Sequence, residues 1–131
     1  MKLDYISSEG LGAGNPPIVR LYEFSAQEVV ELIQVFTELA DGKLHAVVLQ
    51  NQRFIQPLDG ISFVLRNGHE DIGMKQIGKQ LTFECELTAD SWRKTVALSE
   101  VFLDEKAHGY QWLVESPKLQ IEFLLSKDGS W

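Results

Sequence analysis

The chain has 131 residues, 44% of them hydrophobic and 24% charged, which is the make-up of one globular domain able to bury its own core. Its formal net charge of −7 disfavours a phosphate backbone as partner, because the few lysines and arginines are scattered singly from Lys2 to Lys127. The single cysteine excludes an intrachain disulfide, and no run of about eighteen apolar residues is available for a membrane-spanning helix.

Residues 1–9 lack the apolar stretch of an export signal, which together with the lone cysteine leads to the expectation of a cytoplasmic protein. The chain reads as one domain, 1–131, in which residues 1–16 form a loosely ordered lead-in. Gly10-Leu11-Gly12-Ala13-Gly14-Asn15 has little preference for helix or strand. Its glycines imitate a phosphate-cradling loop, but Pro16, Pro17 and a strand follow instead of a helix, so the dipole such a loop needs is missing.

A first strand is expected over Ile18–Phe24. Ser25-Ala26-Gln27-Glu28 then has the form of a capping box, with serine and glutamate each satisfying a free N–H at a helix start. Val29, Leu32, Ile33, Phe36 and Ala40 recur at helical spacing behind it, and Gly42 provides a left-handed stop. Short strands are predicted over His45–Gln50, Ile61–Arg66 and Glu70–Gln76, with Asn67-Gly68 as a hairpin turn between the last two. After a turn at Gly78, Leu81–Leu87 alternates, placing Leu81, Phe83, Cys85 and Leu87 on one face. Thr88 caps a second helix over Ala89–Leu103, with Trp92, Val96, Ser99 and Leu103 as one row and Leu98, Val101 and Phe102 widening the stripe. Strands at Tyr110–Val114 and Leu119–Leu125 follow, joined by a turn at Ser116-Pro117-Lys118, and Asp128-Gly129 forms a last turn.

Tight turns between strands imply antiparallel neighbours, and two amphipathic helices need a sheet face to cover. The expected fold is therefore an α+β two-layer sandwich, one mainly antiparallel sheet with both helices packed on one face. The other face would carry Val64, Arg66, Glu84, Glu86, Glu122 and Leu124. That mixture of carboxylates with apolar residues suits docking or dimerisation, and the net charge points toward a basic partner.

Other chemistry is thinly represented. Cys85 lies on the inward side of its strand between two glutamates that raise a thiol pKa, so a buried structural role is expected. His69-Glu70-Asp71 is the densest group of metal-binding residue types, with His69 and Asp71 as candidate ligands and His45, His108 or Asp59 as distant helpers. It lacks the spaced second set of ligands that makes a zinc motif specific. Tyr110 and Trp112 share a strand face, as core residues do, and Trp131 either folds back or lies exposed. No catalytic residue and no cofactor is nominated. The functional expectation is a non-catalytic protein-interaction module, self-associating or inhibitor-like, that uses the outer sheet face. The alternative is a small enzyme or ligand-binding domain with a site near the His69 hairpin.

Overall fold

A computed structural model describes residues 1–12, 14–115 and 120–131. The elements in chain order are β1 (Lys2–Ile6), α1 (Ser8–Leu11), β2 (Ile18–Tyr22), α2 (Ala26–Ala40), β3 (Ala46–Val48), β4 (Gln56–Pro57), β5 (Ser62–Asn67), β6 (Gly73–Gln76), β7 (Thr82–Leu87), α3 (Ala89–Ser99), β8 (Tyr110–Val114) and β9 (Glu122–Ser126). The turn expected at Ser116-Pro117-Lys118, the strand start at Leu119 and Ala13 of the glycine-rich stretch fall outside the described residues.

The helices form as their sequences direct. Ser25 accepts from the Glu28 amide while Glu28 accepts from the Ser25 amide, closing the capping box of α2. Val29, Leu32, Val35, Phe36 and Leu39 of α2 are buried, and Gly42 beyond its end has φ +73°. α3 begins at its Thr88 cap but faces the core through Trp92, Thr95 and Ser99. The backbone then tightens to a 3₁₀ turn over Glu100–Leu103, which turns Phe102 inward and leaves Val101 and Leu103 exposed. Thr95 and Ser99 are tolerated in the core because their hydroxyls donate to the carbonyls of Trp92 and Thr95, each at 2.7 Å.

The fold is mixed α+β, but the strands divide into two mixed sheets instead of one antiparallel sheet. The five-stranded sheet has the order β4-β1-β2-β9-β8, and the four-stranded sheet β3-β5-β7-β6. Pairing is parallel at β1/β4, β2/β9 and β5/β7 and antiparallel elsewhere. The lead-in is not loose over residues 2–6: β1 pairs along its whole length with β2 and buries Leu3 completely.

Asn67-Gly68 does not make a hairpin. β7 lies between β5 and β6, and the Gly68 amide continues the pairing by donating to the Leu87 carbonyl at 3.0 Å. A two-residue hairpin of the Asn-Gly type needs positive φ at both positions, and neither residue has it. The Asn67 side-chain amide instead donates to the Leu39 carbonyl at the end of α2. A Cβ at Gly68 would lie 2.6 Å from the Glu86 carboxylate, so a side chain there would require Glu86 to swing aside.

One apolar cluster joins both sheets and both long helices. Phe63 of β5 meets Phe123 of β9 edge to face at 5.1 Å, and Tyr5 of β1 meets Phe83 of β7 at 4.8 Å. Phe36 of α2 stacks on Trp92 of α3 at 5.5 Å, and the Trp92 indole N–H donates to the Arg66 carbonyl at 2.9 Å. Each aromatic ring buried this way contributes roughly 1.5–3 kcal/mol. The outer face of the four-stranded sheet is left open by this packing, whereas that of the five-stranded sheet is largely covered, with Ile18, Tyr22, Leu124 and Ser126 buried.

Candidate functional site

The six residues expected on one outer face are split between the two sheets. Val64, Arg66, Glu84 and Glu86 lie together on the outer face of the four-stranded sheet, where register sets Val48, Val64, Glu84 and Lys75 in one row. The next row is Ala46, Arg66, Glu86 and Gly73. Their neighbours Val47, Phe63, Leu65, Phe83, Cys85 and Met74 alternate inward and are buried. Arg66 Nη2 lies 3.0 Å from Glu84 Oε1, and Lys75 stands across from the same glutamate on β6. Two cations and two carboxylates therefore balance on this face, which is not acidic. Val48 is 37% exposed and Val64 half-buried, so an apolar pair runs beside the charges.

Glu122 and Leu124 belong to the five-stranded sheet, because β9 pairs with β2 and β8. Leu124 is fully buried, so it is removed from the docking set. Arg20 of β2 and Trp112 of β8 flank it in register, and the segment after β9 turns back against Arg20 and Tyr22. Gly129 sits against Arg20 and the Tyr22 ring, where a Cβ would approach both within 3.0 Å, and its φ of +91° closes the expected turn. Ser126 Oγ ties this turn down by donating to the Ser130 carbonyl at 2.6 Å and accepting from the Gly129 amide at 3.0 Å. Beneath it, Arg20 makes a two-point ion pair with Asp4 at 3.0 and 2.7 Å and stacks 3.8 Å from the Tyr22 ring centre.

Beside that turn lies an aromatic cleft of about 480 Å³. Trp112 and Trp131 line it with Pro16, Ile18, Asn15 and Glu122. Tyr110 and Trp112 are thus not core residues. A bulge between Trp112 and Val114 shifts the register of β8, Leu113 takes the buried position, and Tyr110 is 43% exposed with its ring 6.0 Å from that of Trp112. Strand alternation could not reveal this: both faces of the β8 sequence are apolar enough to be the inner one.

The remaining candidates are engaged structurally. Asp71 receives hydrogen bonds from the Thr88 amide at 2.8 Å, the Thr88 hydroxyl at 3.0 Å and the Ser91 hydroxyl at 2.8 Å, bracketing the start of α3. Those bonds, led by the Thr88 amide, hold its carboxyl below the usual aspartate range. His69 and Glu70 are exposed, as are His45, His108 and Asp59, and no group of three potential ligands converges among the described residues. Cys85 is completely buried, and burial, with the Asp71 charge adding to it, pushes its thiol pKa far above the ordinary range. A second groove, of about 520 Å³, runs between the β6 and β8 edges over α3 and includes Asp71, Lys94 and Leu98. Among the described residues no helix is long and apolar enough to cross a membrane. The chain matches no protein-family model, no curated protein and no solved structure.

Proposed function

We propose that this chain is a non-catalytic interaction module that associates with a second copy of itself through the outer face of the four-stranded sheet. The observation that carries the proposal is the charge balance of that face. A chain of net charge −7 repels its own copies over most of its surface. Arg66 and Lys75 offset Glu84 and Glu86 here, so two copies can approach without that penalty. A two-fold axis lying in the plane of the interface, along the strands between β5 and β7, would set Arg66 of one copy against Glu86 of the other. The parallel β5/β7 pair adds support, because parallel strands are ordinarily covered on both faces.

The face measures about 19 Å across four strands and about 20 Å along six residues. That is about half of the ~800 Å² per partner of a standard interface, so the association is weak and concentration-dependent. An inhibitor-like function toward a basic partner is less well supported, since the carboxylates it would use are already neutralised. A metal site at His69 is also less favoured, because Asp71 has its oxygens committed to α3.

Sedimentation velocity over a concentration series tests the proposal. The native chain should show a rising weight-average sedimentation coefficient, and Val64→Glu should remain a monomer. A native chain that stays monomeric at millimolar concentration would sink the reading.

A further inference from the structure

We infer that the cleft between Trp112 and Trp131 is a binding site for an organic ammonium ion, a small ligand with a cationic nitrogen on an apolar body. The inference is independent of self-association, since the cleft lies on the other sheet.

The volume comes first. About 480 Å³ is within the range of small-molecule sites, and Asn15 and Trp131 at its rim are exposed to solvent, so the cleft opens to the surface. Its walls are indoles, and Trp131 is 44% exposed in a segment that Gly129, Ser126 and Ser130 hold down. Indole rings are the best aromatic partners for a cation, and a fixed segment does not have to be ordered when the ligand arrives. Pro16 and Leu11, both partly exposed, offer apolar surface for the ligand's hydrocarbon part.

The polar lining then selects the charge. Glu122 contributes a half-buried carboxylate. Asn15 spends its amide N–H groups on the Leu11 and Gly12 carbonyls, at 3.0 and 3.5 Å, which leaves its oxygen as the group it can offer. Carboxylate and amide oxygens both accept, so they call for a ligand that donates. An ammonium group supplies several donors and the positive charge together. Arg20, 5.9 Å from the Trp131 ring, would oppose a cation if its charge were free, but the two-point pair with Asp4 offsets it. Glu122 therefore sets the local sign.

The test uses n-pentylamine, charged at pH 7, against 1-pentanol, which has the same chain and no charge. Binding is followed by the indole N–H resonances of the ¹⁵N-labelled chain, assigned through Trp112→Phe and Trp131→Phe. The inference predicts that the amine shifts the Trp112 and Trp131 signals saturably while leaving Trp92 unmoved, and that pentanol binds at least about tenfold more weakly. Glu122→Gln should weaken the amine by about fivefold, the upper end for a partly exposed pair. Should Glu122→Gln not fold, Trp131→Ala, at an exposed position, must abolish the amine response. Equal binding of amine and alcohol, no saturable shift by the amine, or unchanged amine affinity in these folded variants would each overturn it.

Discussion

The side-chain amide of Asn67 donates to the main-chain carbonyl of Leu39, which fastens the end of β5 to the last turn of α2. One position earlier, the Arg66 carbonyl accepts from the Trp92 indole, so two successive residues tie the four-stranded sheet to both long helices. The end of β5 is thereby anchored to both helices from the inner side of the sheet.

Replacement of Asn67 should therefore be costly for a residue in what reads as a turn. Asn67→Ala removes the bond that ties β5 to this carbonyl, leaving it the 3.3 Å bond from the Gly42 amide, and is expected to lower stability by about 0.5–1.5 kcal/mol. Asn67→Asp should lower it further, by setting a carboxylate against that carbonyl. The midpoint of urea unfolding gives the answer, and an Asn67→Ala midpoint equal to that of the native chain would contradict the assignment.

Asp71 makes a pH-dependent contribution whose sign follows from its lowered pKa. The folded state holds the carboxylate form more tightly than the unfolded chain does. Its stabilisation is present above the unfolded aspartate pKa and is lost as pH falls through the lowered folded value. Asp71→Asn should be less stable than the native chain at pH 7, by about 0.5–1 kcal/mol because the site is largely solvated. The gap should close as the buffer is acidified through the carboxylate range. A gap that is constant with pH would mean that the charge contributes nothing.

How far the fold could be read ahead depended on how local the signal was. The capping box at Ser25 and Glu28, the strict alternation of Phe83, Cys85 and Leu87, and the Thr88 cap are local patterns, and each appears where its residues direct. Strand partnership is not local. Asn67-Gly68 carries the strongest short-range hairpin signal in the chain, yet a carbonyl 28 residues away claims the asparagine and β7 claims the next amide. Because nothing local separates the two sheets, alternation alone sets Glu122 and Leu124 on one face with Glu84 and Glu86. β1 does alternate, Met1, Leu3 and Tyr5 against Lys2 and Asp4, but the pattern is short and runs into a glycine-rich stretch; Leu3 in the core and β2 beside it make it a strand. The aromatic cleft is hidden from the sequence because both faces of β8 are apolar: Tyr110 and Trp112 alternate with Leu113, and only pairing with β9 decides that Leu113 is the inner residue.

Cys85 should behave as a core residue. With its thiol fully buried and its pKa raised by that burial, an alkylating reagent at pH 8 should modify the folded chain only at the rate of unfolding. Mass spectrometry across a urea series should show modification tracking the unfolded fraction. Rapid labelling without denaturant would contradict the burial.

Gly129 fixes the turn that lies against Arg20 and Tyr22. With φ at +91° and a Cβ forced to within 3.0 Å of Arg20 and Tyr22, Gly129→Ala should destabilise the chain by about 1–3 kcal/mol. It should also loosen Trp131, seen as faster quenching of tryptophan fluorescence by acrylamide. Unchanged stability and quenching would mean that the turn is not held where Arg20 and Tyr22 meet it.

Self-complementarity of the balanced face can be tested by mixing two oppositely charged variants. Arg66→Glu leaves that face with excess negative charge and Glu84→Lys leaves it with excess positive charge. Each variant should sediment as a monomer alone, and an equimolar mixture should recover association at least as strong as that of the native chain, with both folded by circular dichroism. Variants that still associate separately, or a mixture that stays monomeric where the native chain does not, would contradict self-association through this face.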